Sequence, residues 1–190
     1  MTAPVHGLDV PAHVLVTGAS SGIGLSMVDA LLENPAVARV CAVSRRAGDD
    51  EALALLQARH GARLQPISAD LTTDAGLDAI VAGVRDGTHD LHLVVNCAGV
   101  LHGEGLRPEK SLEDSFALNA FAPVLLVRAL LPLLGPHAPR VVASLSARVG
   151  SIGDNRLGGW YAYRAAKAAQ NQLLRTLAIE WQRTHPKATC

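Results

Sequence analysis

The 190-residue sequence has no excess of charge of either sign, since 17 lysines and arginines balance 17 aspartates and glutamates. A chain without a basic field has no electrostatic means of recruiting nucleic acid or an anionic membrane surface, so neither partner is predicted. Charged residues make up only 18% of the chain and hydrophobic residues 49%. This composition is typical of a globular protein, most simply one domain over residues 1–190.

Cysteine is scarce, and nothing in its spacing indicates a disulfide framework. Cys41, Cys97 and Cys190 are odd in number and lack the spacing of metal or redox motifs. They favour a reducing compartment, and we predict a cytoplasmic protein. The eight histidines are scattered without ligand spacing, so no metal site is predicted.

The sequence also lacks the segments that direct a chain into or across a membrane. Residues 1–12 contain no basic segment followed by an apolar core, so no signal peptide is expected. The longest apolar stretch, residues 117–134, is interrupted by two prolines, an asparagine and an arginine. We therefore expect a buried helix there and not a membrane span.

Strand-like and helical patterns alternate along the whole chain. Strands are predicted at residues 14–17, 37–43, 64–68, 91–96 and 140–145, and helices at 22–33, 50–60, 74–85, 111–134 and 160–183. This alternation predicts an α/β fold with a doubly wound parallel sheet. Residues 186–190 look like the start of another strand, which suggests a sheet that lacks its last strands. We favour a fragment over a sheet that a partner completes.

A glycine-rich turn follows the first predicted strand. Gly18 permits a sharp turn, Gly22 lets the backbone approach phosphate oxygens, and Gly24 lets the next helix pack tightly. The free N–H groups and the dipole of that helix favour a nucleotide pyrophosphate. The residues predicted to bind it are Gly18, Ser20, Ser21, Gly22, Ile23 and Gly24.

Tyr163 and Lys167 are four positions apart in the last predicted helix, so their side chains share one face. A free phenol has a pKa of about 10 and is a poor proton shuttle at neutral pH. A cation within about 4–6 Å favours the phenolate and brings the group nearer the working pH. The spacing therefore favours a proton-transfer pair over a solvated pair on an exposed face.

The end of the second predicted strand bears on the choice of nucleotide. Ser44 and Arg45 stand where an acidic residue would bind the ribose 2′-hydroxyl and select NAD. Arg45 can instead pair with a 2′-phosphate. We predict NADP (NADPH) in preference to NAD, the alternative being that Arg45 is only solvated.

The pattern T-G-x-x-x-G-x-G at residues 17–24, with Y-x-x-x-K at 163–167, resembles the short-chain dehydrogenase/reductase family. The glycine spacing is that of its non-extended branch, and the matches cover nearly the whole chain. The resemblance implies a Rossmann fold. It also implies that Tyr163 and Lys167 bind the cofactor. It adds further cofactor residues, namely Asp70 and Leu71 after the third strand, Asn96 at the end of the fourth, and Ala98 and Gly99 after it.

The resemblance also implies a role for each active-site residue. Tyr163 gives or takes the proton of the carbonyl or alcohol, and Lys167 assists it and binds the nicotinamide ribose. Ser146 hydrogen-bonds the substrate oxygen, and Asn119 holds a water of the proton relay. The interval from Ser146 to Tyr163 is longer than in many members. It is similar to that of the C-factor and sniffer-type carbonyl reductases, which favours Ser146 over Ser144 or Ser151.

The function implied is an NADP-dependent oxidoreductase acting on a small-molecule carbonyl or alcohol. A nucleotide-binding signalling or assembly protein with little turnover is the alternative, because the family's last strands and substrate lid are missing. A weaker alternative keeps the same fold but assigns dehydratase or epimerase chemistry.

Self-association is expected through the two long helices at residues 111–134 and 160–183, although the alanines of the second could simply pack on the sheet. His102 lies either near the cofactor or in solvent, and Trp160 either lines the substrate pocket or anchors its loop.

Overall fold

The computed structural model describes residues 11–88, 90–101, 109–136 and 138–190, and in them strands and helices alternate as predicted. The strands are β1 (Ala12–Thr17), β2 (Val37–Ser44), β3 (Leu64–Ser68), β4 (Leu93–Asn96), β5 (Arg140–Ser144) and β6 (Ala188–Thr189). The helices are α1 (Gly22–Leu32), α2 (Glu51–His60), α3 (Asp74–Gly87), α4 (Glu109–Ser115), α5 (Ala122–Leu130) and α6 (Tyr161–Thr184). A π-helical turn, Phe116–Phe121, joins α4 to α5 in one continuous helix.

The strands form one sheet in the order β3-β2-β1-β4-β5-β6, and every neighbouring pair is parallel. The chain moves outward from β1 to β3, then returns to the other side of β1 with β4. This reversal confirms the doubly wound Rossmann sheet. The strand start predicted at residues 186–190 is β6, which pairs with β5 at Arg140↔Ala188 and Val141↔Thr189.

Successive side chains of the strands enter two separate cores, one on each face of the sheet. In β1, Val14 and Val16 pack with Val28 of α1 and Leu53 of α2. Leu15, between them, belongs to the opposite core, which α3, α5 and α6 cover. A sheet covered on both faces requires apolar residues at consecutive positions, which explains the unbroken apolar run of β1.

The register of the sheet brings the strand ends to one level. Thr17, the last residue of β1, is opposite Asn96, the last residue of β4. Asn96 is in turn opposite Ser144, the last residue of β5. The crevice beyond these carboxyl ends, where the strand order reverses, is the place where open α/β sheets bind ligands.

The long helix through α4 and α5 is apolar enough to be tested as a membrane span. Its segment Leu112–Leu133 has the length and composition to cross a bilayer, and 44% of its most apolar 18-residue window is buried within the protein. A core helix passes the same test. Leu126 and Leu130 are fully buried against the sheet, whereas Arg128 is exposed, as in the buried helix that the sequence predicts.

A polar cluster lies at the opposite, amino end of the sheet. The buried guanidinium of Arg140 forms an ion pair with Asp90. His92 is 5% exposed, and its Nδ1 accepts the backbone N–H of His13 at 3.2 Å. Burial, helped by Arg140 and His13 and opposed by Asp90, lowers the pKa of His92. Its neutral form is therefore favoured in the folded protein.

We expect His92 to make the protein less stable in acid. Because its folded pKa is below the unfolded one, its contribution is present above the unfolded pKa and is lost as pH falls through the folded pKa. The free energy of unfolding should therefore decrease as the pH falls from neutral through the ordinary titration range of histidine, near about 6.5, and below it. His92→Asn keeps an acceptor near Nδ1 and does not titrate, so its free energy of unfolding should depend less on pH. Urea unfolding across this range measures both proteins, and equal pH dependence would contradict the assignment.

Candidate active site

The turn between β1 and α1 is built from glycines at positions where a side chain would not fit or would change the backbone. Gly18 has a φ of +65°, and a Cβ on it would lie 2.8 Å from the backbone nitrogen of Ala98. A Cβ on Gly24 would lie 2.1 Å from the carbonyl oxygen of Gly18. The first turn of α1 is therefore packed directly against the strand end, as the glycine pattern predicts.

The same turn has the features of an anion-binding site. Gly22 has a φ of +53°, and a Cβ there would meet nothing within 4 Å. The cap residue Ser21 makes no side-chain capping bond, and the first turn of α1 holds no acidic residue. Ser20 lies in the same turn, and Ser21, Gly22 and Ile23 are exposed. Free N–H groups at this helix start fit the pyrophosphate of a dinucleotide.

The ends of β2 and β3 bring Arg45 and Asp70 near one another. Asp70 accepts the backbone N–H of Thr72 at 2.9 Å and its hydroxyl at 2.7 Å. These bonds, with a smaller contribution from Arg45, hold the pKa of Asp70 below its ordinary value. Leu71 is buried, whereas Arg45 is exposed beside half-buried Ser44. An exposed cation here fits a 2′-phosphate, and no acidic residue takes its place at the end of β2.

The end of β4 is tied to both of its neighbours. The Asn96 side chain donates to the Ser144 hydroxyl at 2.9 Å, and the backbone N–H of Ala98 donates to the Thr17 hydroxyl at 3.2 Å. Gly99, the residue after Ala98, is exposed. A small cavity at this level is lined by Thr17, Leu71, Asn96, Ala98, Leu118, Ala122 and Pro123.

Asn119 lies in the π-helical turn and is fully buried. Its amide donates to the carbonyl oxygen of Val100 and accepts the backbone N–H of Val100, both at 2.8 Å. The side chain thus fastens the chain after β4 to the long helix. Since Val100 engages both ends of the amide, the relay-water role implied for Asn119 stays a prediction.

Lys167 is the most buried cation of the candidate active site, at 4% exposure. Its Nζ lies 5.8 Å from the ring centroid of half-buried Tyr163. The ammonium donates to the carbonyl oxygen of Leu145 at 2.7 Å and to Oε1 of Gln170 at 2.9 Å. Burial lowers the pKa of Lys167. The structure therefore brings the predicted phenol and ammonium together at the end of β5.

Ser146 contacts the face of α6 that carries Lys167, and it does so through Asn171, a residue that the sequence reasoning missed. Its hydroxyl donates to Oδ1 of Asn171 at 2.6 Å, and Asn171 follows Lys167 by one helical turn. Among the described residues, no hydrogen bond links Ser146 to Tyr163. Of the alternatives, Ser144 is bonded to Asn96, and Ser151 accepts a backbone N–H at 3.3 Å inside its own loop.

Gln170 was also missed, although it directly holds the candidate catalytic ammonium and is only 1% exposed. A buried glutamine three positions after the lysine could have been found from helical spacing alone. Asn171 could have been found in the same way. His102 lies outside the described residues.

Potential metal ligands lie together away from this site. Ligand atoms of Asp29, Glu33 and His60 are within 4.8 Å of one another. Sequence spacing did not reveal them, because His60 is on α2 and the carboxylates are on α1. Arg59 contacts Asp29 at 2.7 Å and His60 lies 3.6 Å from Glu33, so ion pairing accounts for the group and we assign it no metal.

Comparison with known proteins agrees with this geometry. The model of a family described as short chain dehydrogenase matches residues 12–188. The chain belongs to this family. One curated member, a rhamnolipid-biosynthesis 3-oxoacyl-[acyl-carrier-protein] reductase of Pseudomonas aeruginosa, is 35% identical over 170 residues. That match covers 87% of this chain but 65% of the relative's length.

Solved structures of the family include carbonyl reductases that resemble this chain, as predicted from the sequence. The carbonyl reductase Sniffer of Drosophila melanogaster is 26% identical with a TM-score of 0.83, over 93% of this chain and 77% of its own. The NADPH-bound carbonyl reductase from chicken fatty liver is 27% identical, also with a TM-score of 0.83. That match covers 97% of this chain and 76% of the chicken protein.

The open space beside Gly22 provides a test of the nucleotide site. Gly22→Ala should lower the free energy of unfolding by about 1–2 kcal/mol through backbone strain, and its methyl group would face the bound phosphates. Gly61→Ala is a matched control, because Gly61 has a φ of +58° and equally open surroundings. We expect similar losses of stability, but a Kd for NADPH raised by more than about tenfold only in Gly22→Ala. Equal affinities of the two variants would place the phosphates elsewhere.

Proposed function

We propose that this protein is an oxidoreductase that transfers a hydride between NADP(H) and a small-molecule carbonyl or alcohol. The observation that carries the proposal is the Tyr163–Lys167 pair, with the ammonium buried at the end of β5 and held by two oxygen atoms. It lies on the same sheet edge as the glycine turn that fits a pyrophosphate. Family membership and the reductases among the relatives support the same reaction class.

The protein residues divide the work of binding and proton transfer. The N–H groups of the turn at Gly18 and Gly22 would bind the pyrophosphate, Asp70 would contact the adenine, and Asn96 would also contact the cofactor. When bound, the nicotinamide supplies the hydride. Tyr163 gives its phenolic proton to the substrate oxygen in reduction and takes it back in oxidation.

Neighbouring groups position that proton donor. Lys167 places a cation over the Tyr163 ring and still has an N–H for the ribose, because Leu145 and Gln170 accept from only two of its three donors. Ser146 binds the substrate oxygen, with Asn171 holding its hydroxyl. Such groups act by fixing geometry and charge before the reaction begins.

Tyr163→Phe should reduce kcat for carbonyl reduction by at least about 100-fold, because the proton donor is removed. NADPH binding should stay within about twofold, since the ring remains. Tyr161→Phe is the matched control, as Tyr161 is 57% exposed and two positions away on the same helix. NADPH oxidation with a panel of aldehydes and ketones measures both variants. A Tyr163→Phe protein as active as Tyr161→Phe would remove the proposed mechanism.

The preference for NADP rests on Arg45 at the end of β2. Removing a charge-assisted contact to the 2′-phosphate costs about 1.5–3 kcal/mol, so Arg45→Gln should raise the Kd for NADPH by about tenfold or more. The Kd for NADH should not change. Arg46→Gln controls for the loss of one positive charge in the same exposed loop. Energy transfer from tryptophan to the reduced nicotinamide reports binding, and wild-type protein that binds NADH as tightly as NADPH would contradict the assignment.

A nucleotide-binding protein with little turnover is the second candidate. The chain spans 65% of the length of the reductase relative, and every residue from 151 to 159 beside the site is exposed. Open walls admit water and select substrates weakly. Tight NADPH binding without turnover of any carbonyl would favour this alternative, whereas product formation without net use of NADPH would favour dehydratase or epimerase chemistry.

The remaining assignments follow from the same reaction. We propose a cytoplasmic enzyme whose residues 1–190 form one nucleotide-binding domain. We also propose pairing of two copies through the long helix and α6, where Phe121 and Ile179 are exposed apolar residues. The alanines of α6 support this only in part, because Ala165 is exposed but Ala166 is buried inside the protein.

A further inference from the structure

Arg164, the residue after Tyr163, contacts the loop that leads into α6 through most of its guanidinium group. Its Nε lies 3.1 Å from the carbonyl oxygen of Gly158 and 3.0 Å from that of Gly159. Its Nη2 donates to Gly158 at 3.0 Å, and its Nη1 donates to the carbonyl oxygen of Val149 at 3.2 Å. The guanidinium carbon also lies 5.5 Å from the ring centroid of Trp160. One side chain thus ties both ends of the loop to the helix.

The backbone that Arg164 holds is in an unfavourable conformation. Trp160 has a φ of +46° and is the only non-glycine residue with a positive φ among the described residues. It follows Gly158 and Gly159, which also have positive φ. Such a conformation in a bulky residue persists only where surrounding contacts enforce it.

The start of α6 lacks the usual means of stabilisation. Trp160 is the N-cap residue, and it makes no side-chain capping bond. A positive charge in the first turns also opposes the helix dipole and so destabilises the start of the helix. An arginine at this position therefore needs a compensating role, and its bonds to three carbonyl oxygens supply one.

We propose that Arg164 is a positioning residue that clips residues 150–160 onto the first turns of α6 and so fixes the phenol of Tyr163. In the sequence, Tyr163 lies between the strained Trp160 and Arg164. Without the guanidinium, the first turn of α6 frays and the loop moves away from the site. After the buried Gly150, residues 151–159 are all exposed, with Ile152 and Leu157 at 86% and 88%, so apart from the Arg148–Asp154 ion pair few side-chain contacts oppose that movement. The link to Tyr163 rests on the proposed function, whereas the clip itself does not.

Hydrogen exchange of the full 190-residue chain tests the clip without reference to activity. In Arg164→Gln, exchange should accelerate by about tenfold or more at the hydrogen-bonded amides of the loop, such as Ser151 and Gly158, and at residues 164–167, which close the first turn of α6, while exchange in β1 and β4 stays unchanged. The exchange rates of Arg164→Lys should lie between those of wild type and Arg164→Gln, because one ammonium cannot reach all three carbonyl oxygens. Arg175→Gln, an exposed position further along α6, is the control and should behave as wild type. Unchanged exchange in Arg164→Lys and Arg164→Gln overturns the proposal, and Arg164→Lys alone decides if the glutamine variant does not fold.

Turnover tests whether the clip positions Tyr163. In Arg164→Gln, kcat should fall by about tenfold or more, with the Kd for NADPH within about twofold, because the cofactor turn is untouched. Guanidinium added at millimolar concentration should restore part of the kcat of Arg164→Gln and none in Tyr163→Phe. Faster exchange with an unchanged kcat overturns the positioning role. Faster exchange in a protein whose wild type reduces no carbonyl supports the clip and instead counts against the proposed function.

Discussion

Parallel pairing of β1, β4 and β5 brings three strand ends that are far apart in the sequence to one edge of the sheet. Because Thr17, Asn96 and Ser144 end at the same level, their side chains and the following backbone can bond across strands. A shift of register would separate these residues, so the crevice depends on strand pairing before it depends on any active-site residue. The apolar cores on both faces of the sheet hold that register in place.

The buried ammonium of Lys167 is the second constraint on the site. A charge removed from water is costly unless oxygen atoms replace its hydration, and here Leu145 and Gln170 supply them. A Cβ on Gly150 would lie 2.9 Å from the Cβ of Lys167, so the loop after β5 packs against the base of this side chain. The same loop continues to Trp160 and the start of α6. The position of the Lys167 ammonium, the path of the loop after β5 and the position of the Tyr163 ring therefore depend on one another.

The sequence was most informative where function depends on local spacing. The glycine turn, the Tyr163–Lys167 pair and the alternation of strands and helices each follow from contacts within a few residues, and the fold was predicted correctly. Bonds between distant segments were not predicted, such as Ser146 to Asn171 and Asn119 to Val100. They depend on which rotamer a side chain adopts after the sheet and helices have packed. The role of Arg164 was missed for a related reason, since its acceptors are backbone carbonyls, which no residue pattern marks.

The π-helical turn at Phe116–Phe121 lets one helix contact both the chain after β4 and the core of the sheet. A turn closed by i→i+5 bonds holds one residue more than an α-helical turn, so the phase of the side chains changes across it. Asn119 can therefore face Val100 while Leu126 and Leu130, further along, face the sheet. In a uniform α-helix the two directions would be locked together by the helical repeat. A one-residue insertion thus lets the binding edge and the core be adjusted independently within the same helix.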